Sequence, residues 1–273
     1  MTEFVLQCSP PRAVNGLAFI LPIYNGFVYA RRAAESFFKY TPTELNPVLM
    51  TYDDASPKSF EQDWDAFYSG LPLDRISHLR YPANGGLTRS WNAGLVEARQ
   101  LGCRYAIAGN SDVLFTRGWS RGLLNCLANG AHLVGPTTNA PGYSHGNSQK
   151  QGTARWVKPY QSQNDDADYL NDVADRLWQE HGPDRFVEID INGFFMLSSV
   201  ALWWSGAVSN EHVFAPENKM TGNEDELQHR WRKLKRKIGF SPASFVYHYR
   251  AVSRGKKFLS TGWNRLKDPH KPV

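Results

Sequence analysis

Four short polar clusters stand out because each closes or opens an otherwise apolar segment. Asp53-Asp54, Asn84-Gly85-Gly86 and Asn110-Ser111-Asp112 each follow a strand-like run, and Asn223-Glu224-Asp225-Glu226 opens a helical one. Carboxylates so placed can ligate a hard cation or take a proton. A helix start carrying Asn84, Gly86 and Arg89 is a natural seat for a phosphate. His248, within the strand-like run Phe245–Tyr249, adds an imidazole, which suits Mn2+ better than Mg2+. Each cluster also has an ordinary structural explanation. Asp, Asn and Gly terminate strands, acids in a first helical turn favour the dipole, Glu226 and Arg230 are an i,i+4 pair, and a histidine among aromatics packs in a core. The order and spacing of the clusters together point to a site.

The elements that must position these groups follow from hydrophobic pattern. Strand and helix signals alternate through the first half, as in a parallel α/β sheet. Leu17–Ile23 reads as a buried strand ending at Tyr24-Asn25-Gly26, followed by a helix over Val28–Tyr40. Strands follow at Pro47–Tyr52, Ile76–Arg80 and Tyr105–Ala108, with a helix over Leu87–Leu101 between the last two. In a parallel sheet all carboxyl ends face one rim, where ligands bind in the crevice beyond them. Beyond a helix at Gly118–Asn129 and a strand at His132–Gly135, Thr137–Tyr160 is rich in Gly, Asn, Ser, Gln and Pro. A stretch of that length and composition suits a functional loop, here one that orders over a bound ligand. A helix over Asp166–His181, strands at Phe186–Ile191 and Phe194–Leu197, a helix over Asn223–Lys235 and a strand at Phe245–Tyr249 complete the pattern. The tryptophan pair Trp203-Trp204 reads as core.

From Leu17 to His248, the long middle loop excepted, the chain resembles the family 2 inverting glycosyltransferases. Ile20-Leu21-Pro22-Ile23-Tyr24-Asn25 is similar to the family's opening strand, and Tyr52-Asp53-Asp54-Ala55-Ser56 to its DDGS strand end. Asn84-Gly85-Gly86 with Arg89 and Asn92 resembles its N-x-G…A-x-N-x-G segment, and Asn110-Ser111-Asp112-Val113 stands at its DXD-like metal motif. Asn223-Glu224-Asp225-Glu226-Leu227 with Arg230 resembles the EDxDLxxR helix, and His248 stands where many members carry a further metal ligand. The resemblance implies an α/β fold of GT-A type, Rossmann-like, with a mostly parallel central sheet flanked by helices in one domain. Residues of about 14–135 would bind the nucleotide sugar, about 136–249 would hold the acceptor, and 250–273 would form a basic tail.

It also implies roles. Asp53 and Asp54 would hold the nucleoside, with Pro22, Tyr24, Asn84, Gly86, Arg89, Asn92 and Ser111 around the donor. Asp112 and His248 would bind Mn2+ or Mg2+, and Glu224 or Asp225 would be the general base. Two departures matter. Asn110 stands where the family carries an acid, so the metal rests on Asp112 with His248. The family's base aspartate falls at Glu224, one methylene longer, with Asp225 as its neighbour. The expected donor is a UDP-sugar and the expected acceptor a bacterial surface polysaccharide or lipid-linked glycan. Transfer to hydroxymethylated bases of nucleic acid is a rival, as is a non-catalytic nucleotide-sugar or glycan-binding module.

Composition fits an ordinary globular chain: 273 residues, 41% hydrophobic and 21% charged. No apolar run is long enough for a bilayer span, and the N-terminus lacks the basic and apolar regions of a signal peptide. Cys8, Cys103 and Cys126 make no CxxC pair and leave one over, so a cytoplasmic setting is expected. There is no GxxxxGK[ST] and no GxGxxG after the first strand, which disfavours P-loop ATPases and Rossmann dehydrogenases. The net charge of +5 is uneven. From Arg230 onward 13 Lys and Arg face one acid, Asp268, a local charge of +12, while the remainder carries −7 from 18 bases and 25 acids. Such an end, with Trp231, Phe258 and Trp263 among the cations, suits the inner face of an anionic membrane or a nucleic acid.

Overall fold

The computed structural model describes residues 15–57, 64–141, 149 and 165–249. The expected basic tail at 250–273, Cys8 and most of the Thr137–Tyr160 loop lie outside the described residues. Among the described residues nine strands form one sheet: β1 (Leu17–Ile23), β2 (Pro47–Asp53), β3 (Ile76–Arg80), β4 (Tyr105–Gly109), β5 (Val113–Phe115), β6 (Leu133–Thr137), β7 (Val187–Glu188), β8 (Phe195–Ser199) and β9 (Ile238–His248). The helices are α1 (Phe27–Tyr40), α2 (Trp64–Tyr68), α3 (Leu87–Gln100), α4 (Trp119–Ala128), α5 (Ala167–His181), α6 (Val200–Ser205) and α7 (Asn223–Lys233). Strand order is β3-β2-β1-β4-β8-β6-β9-β5, with β7 beside β9.

Strand β1 shows why the sheet is sandwiched. All seven of its residues are buried, and successive side chains point to opposite faces. Leu17, Phe19, Leu21 and Ile23 enter a core with Ala30, Ala33, Ala34 and Phe37 of α1 and Trp119 and Leu123 of α4. Ala18 and Ile20 enter a second core with Trp91 and Leu95 of α3, Trp203 of α6 and Leu227 and Trp231 of α7. A strand covered on both faces has no polar side, which explains its unbroken apolar run. A third core packs α5 on β9 through Leu170, Val173 and Leu177 against Phe245 and Tyr247.

Strands β3, β2, β1 and β4 run parallel to one another. Beyond β4 the sheet is mixed. Strand β8 runs antiparallel to both β4 and β6, β9 is parallel to β6, and β5 is antiparallel to β9. These directions have a simple consequence. The carboxyl ends of β1, β2, β3, β4, β6 and β9 and the starts of β5 and β8 all lie on one rim. Every polar cluster that the spacing singles out on a strand therefore reaches the same edge.

Three strands differ from the pattern reading, which also contains neither α2 nor α6. The expected strand Phe186–Ile191 is paired only at Val187–Glu188, as a short edge beside β9. The last strand begins at Ile238, because the sheet continues through Gly239 and Pro242 with a register shift against β6. Strand β5, three residues long, carries too little periodicity to be read from the sequence. Among the described residues no helix is long and apolar enough to cross a membrane.

Candidate active site

On the β1–β3 side, Asp53 ends β2 with its side chain fully buried. Its Oδ1 accepts from the Ser56 N–H (2.9 Å) and its Oδ2 from Arg80 Nη1 (2.5 Å). Burial pushes the Asp53 carboxyl above its usual range, while the Ser56 bonds and the Arg80 cation oppose the rise. Arg80 also donates to the Ser56 carbonyl (2.9 Å), so the fork of one guanidinium closes the turn after β2. Arg80 is part-exposed at the rim and is the member of this group that faces solvent.

Asp54 is equally committed. The N–H groups of Gly85 and Gly86 donate to its two carboxylate oxygens (3.0 and 2.8 Å), and Arg89 forms an ion pair with it. Asn84 Nδ2 donates to its carbonyl (3.2 Å), and the Arg89 guanidinium lies 3.7 Å from the Tyr81 ring centroid. The helix start expected to seat a phosphate is thus engaged by the protein's own carboxylate. Gly86 has φ +88°, and a Cβ there would meet the Lys219 carbonyl oxygen at 2.6 Å, so the loop before α7 lies directly on the start of α3. Thr88 continues the join by donating to the Asn218 carbonyl and accepting from Asn223 Nδ2 (3.1 Å).

Asn92, expected near the donor, is buried and brackets the backbone of residues 213 and 214. Its Oδ1 accepts from the Val213 and Phe214 N–H groups (3.0 and 2.9 Å), and its Nδ2 donates to the Phe214 carbonyl (2.9 Å). Asn92→Ala would strand three buried backbone groups, and a stability loss of about 3 kcal/mol is expected. A depressed Tm at unchanged nucleotide affinity, measured on the purified variant, checks this. Pro22 lies within β1, opposite Tyr52. Tyr24 stands exposed just beyond the strand end, where Asn25 and Gly26 both take positive φ (+56° and +69°).

The opposite side of the rim brings Asp112 and His248 together across 136 residues. Strand β5 pairs with β9 so that Val113 faces His248, and Asp112 precedes it. His248 Nε2 lies 3.2 Å from Asp112 Oδ1, and both side chains are nearly inaccessible. His248 Nδ1 lies 2.8 Å from the Ala140 carbonyl oxygen. A carbonyl only accepts, so Nδ1 carries the hydrogen and the remaining nitrogen confronts a carboxylate. Two electron-pair donors facing each other call for a proton or a cation between them, and the pair fits a divalent metal of borderline softness. Among the described residues no cluster of three or more His, Cys, Asp or Glu could hold a metal. Asn110 and Ser111 precede this pair, and the Asn110 N–H donates to the Phe194 carbonyl (2.8 Å).

The acidic helix start lies beside this pair. The Phe194 ring stacks on His248, with centroids 4.9 Å apart and planes at 18°. The residue before it, Gly193, carries Glu224 on its open face: a Cβ there would meet Glu224 Cδ at 3.0 Å. Glu224 is half-buried, while Asp225 is exposed. Helix α7 is fixed in this position by Gln228, which accepts from the Ile191 N–H (2.7 Å) and donates to the Ile191 carbonyl (2.8 Å). Arg230 bridges Glu226 to the Gly206 and Val213 carbonyls, so it is scaffold.

Three groups at the rim escaped the sequence reading: Arg80, Asn139 and Gln149. The buried Gln149 amide accepts from the Asn192 N–H (2.9 Å) and donates to the Pro136 carbonyl (3.1 Å).

The architecture has known counterparts. GalNAc-T7 bound to UDP, GalNAc and Mn2+ superposes with TM-score 0.62 at 12% identity, over 93% of this chain and 48% of that one. The mannosyltransferase PcManGT from Pyrobaculum calidifontis, in complex with GDP-Man and Mn2+, gives 0.55 at 12% identity, over 93% and 62%. S. aureus TarS 1-349 gives 0.52 at 13% identity, over 85% and 60%. The chain has a GT-A-like fold. It spans only about half to three fifths of these structures. No family profile and no curated protein sequence matches it.

Proposed function

We propose that this chain is an inverting glycosyltransferase that moves a sugar from a nucleotide-diphosphate donor to an acceptor hydroxyl. The observation that carries the reading is the Asp112–His248 pair, a carboxylate oxygen and an imidazole nitrogen held 3.2 Å apart on the carboxyl-end rim of a GT-A-like sheet. Asp112 and His248 would hold Mn2+ or Mg2+, which when bound supplies positive charge to the departing diphosphate. The chain's own groups do the rest. Arg80, backed by Asp53, and the Asp54–Arg89 turn shape the nucleoside side beyond β1 to β3. Glu224 takes the proton of the acceptor hydroxyl at its carboxylate, with Asp225 as the exposed alternative. The hydroxyl oxygen bonds to the anomeric carbon as the bond to the diphosphate oxygen breaks, which inverts the anomeric configuration.

Support for a UDP-sugar donor is limited to GalNAc-T7, since the mannosyltransferase holds a GDP-sugar. We favour a polysaccharide or lipid-linked acceptor at the inner membrane face, because Leu234 is exposed between Lys233 and Lys235 at the far end of α7. An apolar tip among cations suits anionic headgroups better than a nucleic-acid backbone. A thermal-shift screen of UDP- and GDP-sugars tests the core of the proposal. A rise in Tm that requires Mn2+, together with slow hydrolysis of the same sugar, is expected. No stabilisation by any nucleotide sugar would overturn the reading, and stabilisation without hydrolysis would favour a binding module.

A further inference from the structure

Strand geometry leaves a question at His248 that a single side chain answers. Strand β9 is hydrogen-bonded to β5 at the rung above, where the Tyr249 N–H donates to the Asp112 carbonyl (2.9 Å). In an antiparallel ladder, bonded and non-bonded pairs alternate. The Val113–His248 pair is therefore a non-bonded one, and the backbone groups of His248 point away from β5, toward the side of β6. Strand β6 has already ended there, its last rung joining Thr137 to Phe245. Both backbone groups of His248 would be buried without partners.

The Asn139 side chain supplies the missing rung. Its Oδ1 accepts from the His248 N–H (2.8 Å), and its Nδ2 donates to the His248 carbonyl (3.2 Å). The amide thus stands in for a peptide of a longer β6. Asn139 is buried, and the next residue, Ala140, presents the carbonyl that binds His248 Nδ1. One dipeptide fixes the backbone of His248 and also selects which ring nitrogen carries hydrogen. With Phe194 stacked on the ring face, the orientation of Nε2 toward Asp112 is fully determined.

We infer that Asn139 is a positioning residue for the metal ligand His248: it never touches the ion or the donor, and acts by presenting the Nε2 lone pair toward Asp112. The inference rests on the metal reading given above. Losing a group that orients a ligand typically weakens metal binding about 10–100-fold.

The test measures Mn2+ binding in the presence of UDP, from the electron paramagnetic resonance of free Mn2+, on wild type, Asn139→Ala, His248→Ala and Asn92→Ala. Asn92 also brackets buried backbone, but at the α3 side, so its variant controls for a general loss of stability. The expected result is Mn2+ affinity at least about tenfold weaker in Asn139→Ala and His248→Ala and unchanged in Asn92→Ala. If His248→Ala weakens binding and Asn139→Ala does not, the positioning role is overturned and the metal reading stands. Equal weakening in Asn92→Ala also overturns it. If His248→Ala binds Mn2+ like wild type, the metal reading fails and takes this inference with it. Should Asn139→Ala be insoluble, Asn139→Ser removes the same reach with a smaller packing change and is read in the same way.

Discussion

Asp112→Asn is expected to reduce sugar transfer by about 10³-fold or more and to abolish Mn2+-dependent donor binding. Asp112 is the one carboxylate of its cluster, since its neighbours are Asn110 and Ser111. The substitution keeps shape and keeps the main-chain bond to Tyr249, because that bond uses the Asp112 carbonyl. What it removes is the negative charge facing His248 Nε2. An amide is a poor ligand for a divalent ion that must also balance a diphosphate. Turnover, Mn2+ affinity and Tm on one preparation decide the matter. A Tm near that of wild type with both other quantities lost is the expected outcome, whereas turnover within tenfold of wild type would remove Asp112 from the centre.

The second large effect is expected at Glu224. Glu224→Gln preserves length and packing on Gly193 but cannot accept the proton, so kcat should fall by about 10²–10⁴-fold with donor affinity nearly unchanged. Asp225→Asn should change little, because Asp225 is exposed while Glu224 rests on the turn that precedes Phe194 and His248. The reverse pattern would assign the base to Asp225. If both acids serve only the helix dipole, each variant loses about 1 kcal/mol or less and keeps its turnover.

How much of this was legible in the sequence depended on where each partner lies. The β1 to β4 half could be read because β1 and β2 are wholly buried apolar runs and each strand is followed by its own helix or turn. Asp112 and His248 could be singled out individually, as a strand-end acid and an aromatic-flanked histidine. Their meeting depended on β5, which is too short to leave a periodic trace. Asn139 and Gln149 lie in an amide-rich stretch that reads as loop. Their importance comes from backbone groups elsewhere in the chain, 109 residues away for Asn139 and 43 for Gln149 to Asn192. Nothing in local composition distinguishes an amide that replaces a strand rung from one that faces water. Asn92 and Arg89 show the converse. Their spacing matched a donor-binding pattern, yet in the fold Asn92 holds the Val213–Phe214 segment and Arg89 holds Asp54. Spacing alone does not distinguish a residue that holds backbone from one that faces a rim.

The parallel pairing of β6 with β9 also bears on when the protein becomes competent. Their rungs join Leu133 to Ile238 and Thr137 to Phe245, so about a hundred residues separate the two strands that must meet. Contacts of such sequence separation form slowly, since the chain must be closed into a large loop before the pairing stabilises it. As the chain leaves the ribosome, β1 to β4 can assemble from neighbouring segments while β9 is still unmade. On the proposed function, the nucleoside side would then begin to form in a nascent chain that has no His248 beside Asp112. Refolding followed with a fluorescent nucleotide and with Mn2+ should then show two phases. Nucleotide contacts should appear first, and metal retention only with the closing of the last strand.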